Sequence, residues 1–118
     1  MKVLNKSIKV ENYFEKHLEI INPILPVQLT PKEIEVIAAF MALKGDLIDE
    51  DRFNTSARKH VMKNLNISLG GLSNYLRILI DKGFIYKENE VLKIREILFP
   101  TEGVQFYAFK LEDGKNKS

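Results

Sequence analysis

The residues best suited to chemistry lie close together at positions 66–79, in the stretch NISLGGLSNYLRIL. Leu72, Leu76 and Leu79 recur at helical spacing, which predicts a helix with one apolar face. The side chains on its other faces carry hydroxyl, amide and guanidinium groups, all of which form hydrogen bonds. The candidate binding residues are Ser68, Gly70, Gly71, Ser73, Asn74 and Arg77.

Asn74 and Arg77 have the side-chain types that distinguish nucleic-acid bases in the major groove. An asparagine amide is suited to a bidentate pair with adenine, and an arginine to guanine or a phosphate. The unpaired N–H groups of the first helical turn are also available to a phosphate. The alternative is an ordinary solvated face, which every amphipathic helix has. The sequence leaves both interpretations open.

A second set of candidates is basic. The net charge of +2 divides unevenly, because residues 11–51 carry nine acids against three lysines and residues 52–95 carry nine bases against three acids. The asymmetry suggests that one face meets a polyanion, unless the two segments neutralise each other in the fold. The candidates for backbone phosphate contacts are Arg58, Lys59, Lys63, Lys82 and Lys87.

The sequence contains no pattern typical of an enzyme, a cofactor site or a metal site. The chain has no cysteine, only two histidines (His17 and His60) and no Gly-rich phosphate loop, so we expect no enzyme activity and no cofactor. The acidic residues of the stretch DLIDED lack the order of a calcium loop, which predicts no metal site there. Those residues are Asp46, Asp49, Glu50 and Asp51. We also expect no small-molecule ligand.

Length and composition predict one soluble domain. The chain has 118 residues, of which 45% are hydrophobic, and no apolar run approaches the ~20 residues of a membrane span. The first residues lack the apolar segment and cleavage site of a secretory signal. The expected location is therefore the cytoplasm or the nucleoid, with no membrane partner.

Four predicted helices position the candidate residues. The first covers residues 10–21 and ends before Pro23. The second begins with Thr30 as N-cap, Pro31 and a capping box to Glu33, and closes at Gly45. The third covers 55–65 after an N-cap at Asn54 or Thr55. The three-residue turn NIS (66–68) follows, and its last residue, Ser68, is the N-cap that opens the fourth helix (68–82), which ends at Gly83.

The remainder of the chain is β in character. The runs FIYK (84–87) and VLKI (91–94) predict a hairpin, 95–103 a loop and 104–111 a third strand. We expect Leu69 to pack with the other leucines of its helix. The rest of the expected core is Ile34, Ile37, Met41, Val61, Leu65, Leu72, Leu76, Leu79, Phe84 and Ile85.

Residues 52–94 resemble the DNA-binding core of the winged helix-turn-helix superfamily. The resemblance is nearest to the multiple-antibiotic-resistance-regulator type and to phage and plasmid helix-turn-helix proteins. It rests on the helix–turn–helix–hairpin order and on the ending L-x-x-L-x-x-x-G-hydrophobic-I, formed by Leu76, Leu79, Gly83, Phe84 and Ile85. The implied fold is α+β, mostly α, with a winged helix-turn-helix at 30–111. An N-terminal helix and connector (1–29) precede it, and a flexible tail (112–118) follows.

The resemblance implies a sequence-specific transcriptional regulator that places helix 68–82 in the major groove of double-stranded DNA. Gly70 and Gly71 would then let the first turn approach the DNA; the alternative is that they let the preceding helix pack closely at the turn. Such proteins usually act as homodimers. The helix at 10–21 and the C-terminal strand are the candidate dimer elements.

The predicted wing departs from the usual pattern. Its tip carries Glu88 and Glu90, whereas a wing that enters the minor groove normally presents arginine or lysine. The wing therefore stays clear of DNA, apart from lysines near the backbone, or binds protein. Winged helices also serve as protein-binding modules, so the alternative function is an assembly or adaptor module of a phage particle or replication complex.

Overall fold

The computed structural model describes residues 10–44, 51–101 and 107–108. This part of the chain has an α+β fold that is mostly helical, with four α-helices and one two-stranded antiparallel sheet. The elements are α1 (Val10–Ile21), α2 (Pro31–Met41), α3 (Thr55–Leu65), α4 (Leu69–Asp81), β1 (Ile85–Glu88) and β2 (Val91–Ile94). None of the helices described here is long and apolar enough to cross a membrane.

The beginning of α2 confirms the predicted capping box. The Thr30 hydroxyl accepts the Glu33 N–H at 3.2 Å, and the Glu33 carboxylate accepts the Thr30 N–H at 3.0 Å. Pro31 occupies the first helical position, where the missing N–H is harmless. The helix ends at Met41, and the predicted closing residue Gly45 lies outside the described residues.

The predicted three-residue connection between α3 and α4 is confirmed. Asn54 caps α3 by accepting the Ala57 N–H at 2.8 Å. Asn66 ends α3 with a φ of 53°, a left-handed conformation that asparagine tolerates. Ser68 then caps α4 by accepting the Gly71 N–H at 3.0 Å. Gly83 follows α4 with a φ of +84°.

The hairpin is confirmed with a shorter turn than predicted. Glu88 pairs with Val91, so that only Asn89 and Glu90 form the turn. Both have positive φ, 52° and 65°, as a two-residue turn of the type favoured in hairpins requires. The predicted loop at 95–103 contains a 3-10 turn, Glu96–Leu98. Of the predicted strand at 104–111 only residues 107 and 108 are described, and they form no strand.

The hydrophobic core contains the predicted residues, with two exceptions. Leu65 is half-buried, and Leu69 is 63% exposed, so the prediction that Leu69 packs with the other leucines is wrong. Leu69 occupies the first turn of α4, ahead of the part of the helix that contacts the core. The core also contains buried residues outside the predicted set, among them Leu18, Phe40, Phe53 and Leu98.

Helix α1 belongs to this same core. Leu18 is fully buried, and the Phe14 ring lies edge-on to Phe99 at 6.4 Å between centroids. The side chain of His17 is 5% exposed, and its Nδ1 lies 2.6 Å from the Tyr107 hydroxyl. These contacts join α1 to the segment that follows the hairpin.

Candidate nucleic-acid interface

The first turn of α4 carries two glycines that no contact within the described chain requires. A Cβ added at Gly70 would meet nothing within 4 Å, and one added at Gly71 would meet only the Ser68 Oγ, at 3.2 Å. Among the described glycines, only Gly83 has a positive φ. The backbone at Gly70 and Gly71 therefore has a conformation that any residue can adopt. Because no atom of α3 lies near either Cβ position, the explanation by close helix packing is wrong.

The same turn leaves backbone donors open. Ser68 takes up the Gly71 N–H through its hydroxyl and the Leu72 N–H through its carbonyl. The N–H groups of Leu69 and Gly70 have no acceptor among the described residues, as expected for the first residues of a helix. Gly70 is exposed and Leu69 is largely exposed, so a partner can reach these donors.

The next two turns of α4 expose Ser73, Asn74 and Arg77, as the sequence predicts. Arg77 Nη2 donates a hydrogen bond to Asn74 Oδ1 at 2.6 Å. Asp81 lies one turn further along α4, but the ion pairs of the described residues do not join it to Arg77. The guanidinium is therefore turned toward the N-terminal part of the helix.

Helix α3 adds exposed positive charge. Lys59 and Lys63 are exposed and form no ion pair with any described residue. Arg58 is half-buried, and its Nε donates to the Phe53 carbonyl at 2.7 Å, so part of its guanidinium holds the beginning of α3. His60 is exposed and hydrogen-bonds Asn64 at 3.0 Å.

Lys82 is half-buried and bound to two other segments of the protein. Its ammonium donates to the Glu33 carboxylate at 2.5 Å and to the Gln28 carbonyl at 2.9 Å, and its side chain is 22% exposed. Two of the three N–H groups of this ammonium are thus occupied within the protein, and its charge is paired with a carboxylate. We therefore leave Lys82 out of the candidate interface.

The basic side chains of the hairpin are also occupied. Lys87 lies 3.5 Å from Glu90, and Lys93 lies 3.1 Å from Glu88, which raises the Lys93 pKa. Arg95 stacks over the Tyr86 ring at 4.2 Å and donates to the Gly83 carbonyl at 3.0 Å. The predicted contact residue Lys87 thus lies beside a carboxylate, as does Lys93, whereas Arg95 forms no ion pair with a described residue.

Arg52 belongs to the basic segment, but its guanidinium binds carbonyl groups at the end of α2. Its Nη1 donates to three carbonyls at the end of that helix, those of Phe40, Met41 and Leu43, at 2.9, 3.2 and 3.3 Å. Among the basic residues of α3 and α4, Lys59, Lys63 and Arg77 remain exposed with no carboxylate partner in the described chain.

The described residues of the acidic segment form no ion pair with any of these three side chains. Lys16 pairs with Glu19 and Lys32 with Glu35, within α1 and α2. Of the ion pairs that join described residues, only Glu33–Lys82 connects the acidic segment to the basic one. Asp51 instead accepts the Phe53 N–H at 2.8 Å, and positions 46–50 lie outside the described residues. Mutual neutralisation does not account for the charge asymmetry in this part of the chain.

Comparison with protein-family models, with curated proteins and with solved structures finds no match to this chain. The resemblance to the winged helix-turn-helix superfamily therefore stays a prediction from the sequence. Among the described residues, no three histidine, cysteine or carboxylate side chains lie close enough together to hold a metal ion.

Proposed function

We propose that this chain is a DNA-binding protein, a sequence-specific transcriptional regulator whose α4 approaches the major groove of duplex DNA. The observation that carries the proposal is the pair Gly70 and Gly71 in ordinary helical conformation. A Cβ at Gly70 would meet no atom within 4 Å, and one at Gly71 would meet only the Ser68 Oγ, which would have to shift by a few tenths of an ångström. Each glycine weakens a helix by roughly 0.5–1 kcal/mol relative to alanine. Glycine at these positions is explained if the backbone of this turn must come close to an external surface, because larger side chains would hold it away.

The free charges support the same partner. Lys59 and Lys63 on α3 and Arg77 on α4 are exposed without a carboxylate partner among the described residues. Lysine and arginine side chains that contact phosphates release counterions from DNA, which makes the affinity fall steeply as salt rises. The donors at Leu69 and Gly70 lie at the positive end of the α4 dipole, where a phosphate is also favoured.

The experiment is a fluorescence-anisotropy titration of labelled duplexes with the full chain at several salt concentrations. The test variant is Lys59→Glu/Lys63→Glu, and the matched control is Lys16→Glu/Lys32→Glu, which changes the net charge equally on α1 and α2. We expect the test variant to lose most of the binding and to flatten the salt dependence, with little change in the control. Equal losses in both would indicate an unspecific charge effect and would contradict an interface on α3 and α4.

The second candidate function is a protein-assembly or adaptor module. It is favoured by the exposed apolar side chains near the end of α1, where Ile24 is 82% exposed, Val27 44% and Ile20 38%. Exposed apolar patches often mark protein interfaces. If no duplex binds at low salt, this function becomes the better proposal.

As a regulator, the chain is proposed to act as a homodimer that contacts two half-sites about one helical turn apart. Helix α1 and the segment after the hairpin are the proposed dimer elements. Sedimentation of the chain with and without a bound duplex measures the stoichiometry directly, and one chain per specific duplex would exclude the dimer.

A further inference from the structure

We propose that Asn74 and Arg77 act together as one hydrogen-bond-donor unit that selects guanine at one position of the DNA site. This inference rests on the proposed function, since it assigns a base preference to the same face of α4. It also replaces the expectation that Asn74 pairs with adenine.

The hydrogen bond between the two side chains determines what each can offer. A guanidinium has donors only, so the group facing Arg77 Nη2 at 2.6 Å must be the amide oxygen of Asn74. The Asn74 amide is thereby oriented, with its oxygen turned to Arg77 and its NH₂ group left for a partner. The remaining N–H groups of Arg77 are donors as well. Both residues are exposed, and the described carboxylates form no ion pair with Arg77.

The base edges differ in how well they match such a unit. In the major groove guanine presents two acceptors, N7 and O6, whereas adenine presents one acceptor, N7, and the N6 amino donor. A bidentate Asn–adenine pair requires the Asn74 oxygen to accept from that amino group. The second lone pair of this oxygen can still accept, but the positive charge of the guanidinium that it already binds disfavours the approach of the adenine amino donor. Guanine meets donors at both of its acceptors, so the unit favours guanine.

The neighbouring residues leave the unit accessible. Gly70 lies one turn before Asn74 and would meet nothing within 4 Å if it carried a Cβ. Ser73 is exposed, and Tyr75 is half-buried against the core, so its ring is partly withdrawn from this face. A base edge can therefore approach Asn74 and Arg77 together.

The test begins with selection of binding sites from a randomised duplex pool by the full chain. Each guanine of the best duplex is then replaced in turn by 7-deazaguanine, which removes N7, or by inosine, which keeps both major-groove acceptors and serves as the control. At one guanine we expect 7-deazaguanine to weaken binding by about 5- to 150-fold, the range expected for a good bidentate contact, and inosine to leave the affinity unchanged.

Variants of the protein test whether Asn74 and Arg77 are the residues that contact this guanine. Arg77→Lys should lose the discrimination against 7-deazaguanine, because one ammonium cannot replace the planar fork. Asn74→Asp should lose it as well, because a carboxylate neutralises Arg77 and presents only acceptors to the base. Lys59→Ala is the control, since a phosphate contact weakens binding to all sequences alike. Thermal melting of each variant checks that it remains folded.

Three outcomes would overturn the inference. If Asn74→Ala relaxes recognition at an adenine, Asn74 acts alone as an adenine reader. If Arg77→Ala weakens all duplexes equally and no 7-deazaguanine has an effect, the pair contacts phosphate. If no duplex is bound even at low salt, the proposed function itself fails, an outcome distinct from the other two because binding is then absent in the wild type.

Discussion

The ammonium of Lys82, just after α4, donates a hydrogen bond at 2.5 Å to the carboxylate of Glu33 in the first turn of α2. The Glu33 side chain is only 6% exposed, and it also accepts the Thr30 N–H of the capping box. Burial by itself would raise the pKa of Glu33, but Lys82 and Thr30 stabilise the carboxylate more strongly, so the pKa lies below its ordinary value. One ion pair thus joins the end of α4 to the beginning of α2.

Replacing Lys82 should destabilise the fold. We expect Lys82→Met to lower the free energy of unfolding by about 1.5–3 kcal/mol, because it leaves a buried carboxylate without its charged donor. The native carboxylate binds its proton only at a lower pH than in the unfolded chain. The stabilisation is therefore fully present above the pKa that Glu33 has in the unfolded chain. It disappears as the pH falls through the lower pKa that Glu33 has in the folded chain.

Denaturant titrations at pH 7 and at pH 3 measure this effect. The difference between wild type and Lys82→Met should shrink at the acid pH, and a double-mutant cycle with Glu33→Gln should return a clear coupling energy. A cycle with zero coupling would mean that the two side chains do not interact in solution.

Substitution of the two glycines should separate stability from DNA binding. Gly70→Leu places its side chain in open space, so we expect the helix to gain up to about 1 kcal/mol. DNA binding should nevertheless weaken, because the new side chain stands between α4 and the groove. Paired thermal melts and anisotropy titrations measure both quantities. Unchanged binding would remove the main support for an approach of this turn to DNA.

Gly71→Leu is the contrasting variant. From the sequence we expect it to be neutral or slightly stabilising as well. Its Cβ would lie 3.2 Å from the Ser68 Oγ, so the cap must shift by a few tenths of an ångström. Since loss of a serine cap costs about 1 kcal/mol, we expect Gly71→Leu to melt below Gly70→Leu.

Arg52 should be essential for stability and irrelevant for DNA contact. Arg52→Met removes a charged donor from the carbonyls of Phe40, Met41 and Leu43, and we expect a loss of about 1.5–3 kcal/mol in the free energy of unfolding. At a temperature where the variant is fully folded, its affinity for duplex DNA and its salt dependence should equal those of the wild type. A smaller salt dependence would place Arg52 in the interface.

Replacing two leucines of α4 with alanine should have very different effects on stability. Leu76 is 4% exposed, and Leu76→Ala should lower the free energy of unfolding by roughly 2–5 kcal/mol. Leu69 is 63% exposed, and Leu69→Ala should change it by less than about 0.5 kcal/mol. Denaturant titration of both variants checks this difference, since equal losses would mean that the core extends to the first turn of α4.

The buried His17 should make stability fall on mild acidification. Burial lowers its pKa below the ordinary value, because the charged imidazolium loses its hydration. As pH falls below about 6.5 the unfolded chain binds a proton that the folded chain resists, so the free energy of unfolding decreases.

Unfolding free energies between pH 7.5 and about 5.5 test this expectation, in a range well above the titration of Glu33. His17→Gln should flatten the pH dependence, whereas His60→Gln, a change at an exposed histidine, should preserve it. An unchanged slope in His17→Gln would indicate that another group titrates in this range.

The sequence by itself determined the local structure. The capping box at Thr30, the cap at Ser68 and the left-handed glycine after α4 depend on residues within about four positions of one another, so their patterns can be recognised directly. The apolar spacing of Leu72, Leu76 and Leu79 also predicted the buried face of α4. The winged helix-turn-helix family and the DNA-binding function stay predictions.

Only the tertiary structure decided which polar groups remain available to a partner. Lys82 meets Glu33 across 49 positions of sequence, Arg52 reaches carbonyls of α2, and His17 meets Tyr107 across 90 positions. Charge counts treat all lysines and arginines alike, because the sequence carries no information on which distant acceptors each one meets. Leu69 is the corresponding case for an apolar residue. Helical spacing predicts which face of α4 is apolar, but it does not predict how far along the helix the neighbouring elements bury that face.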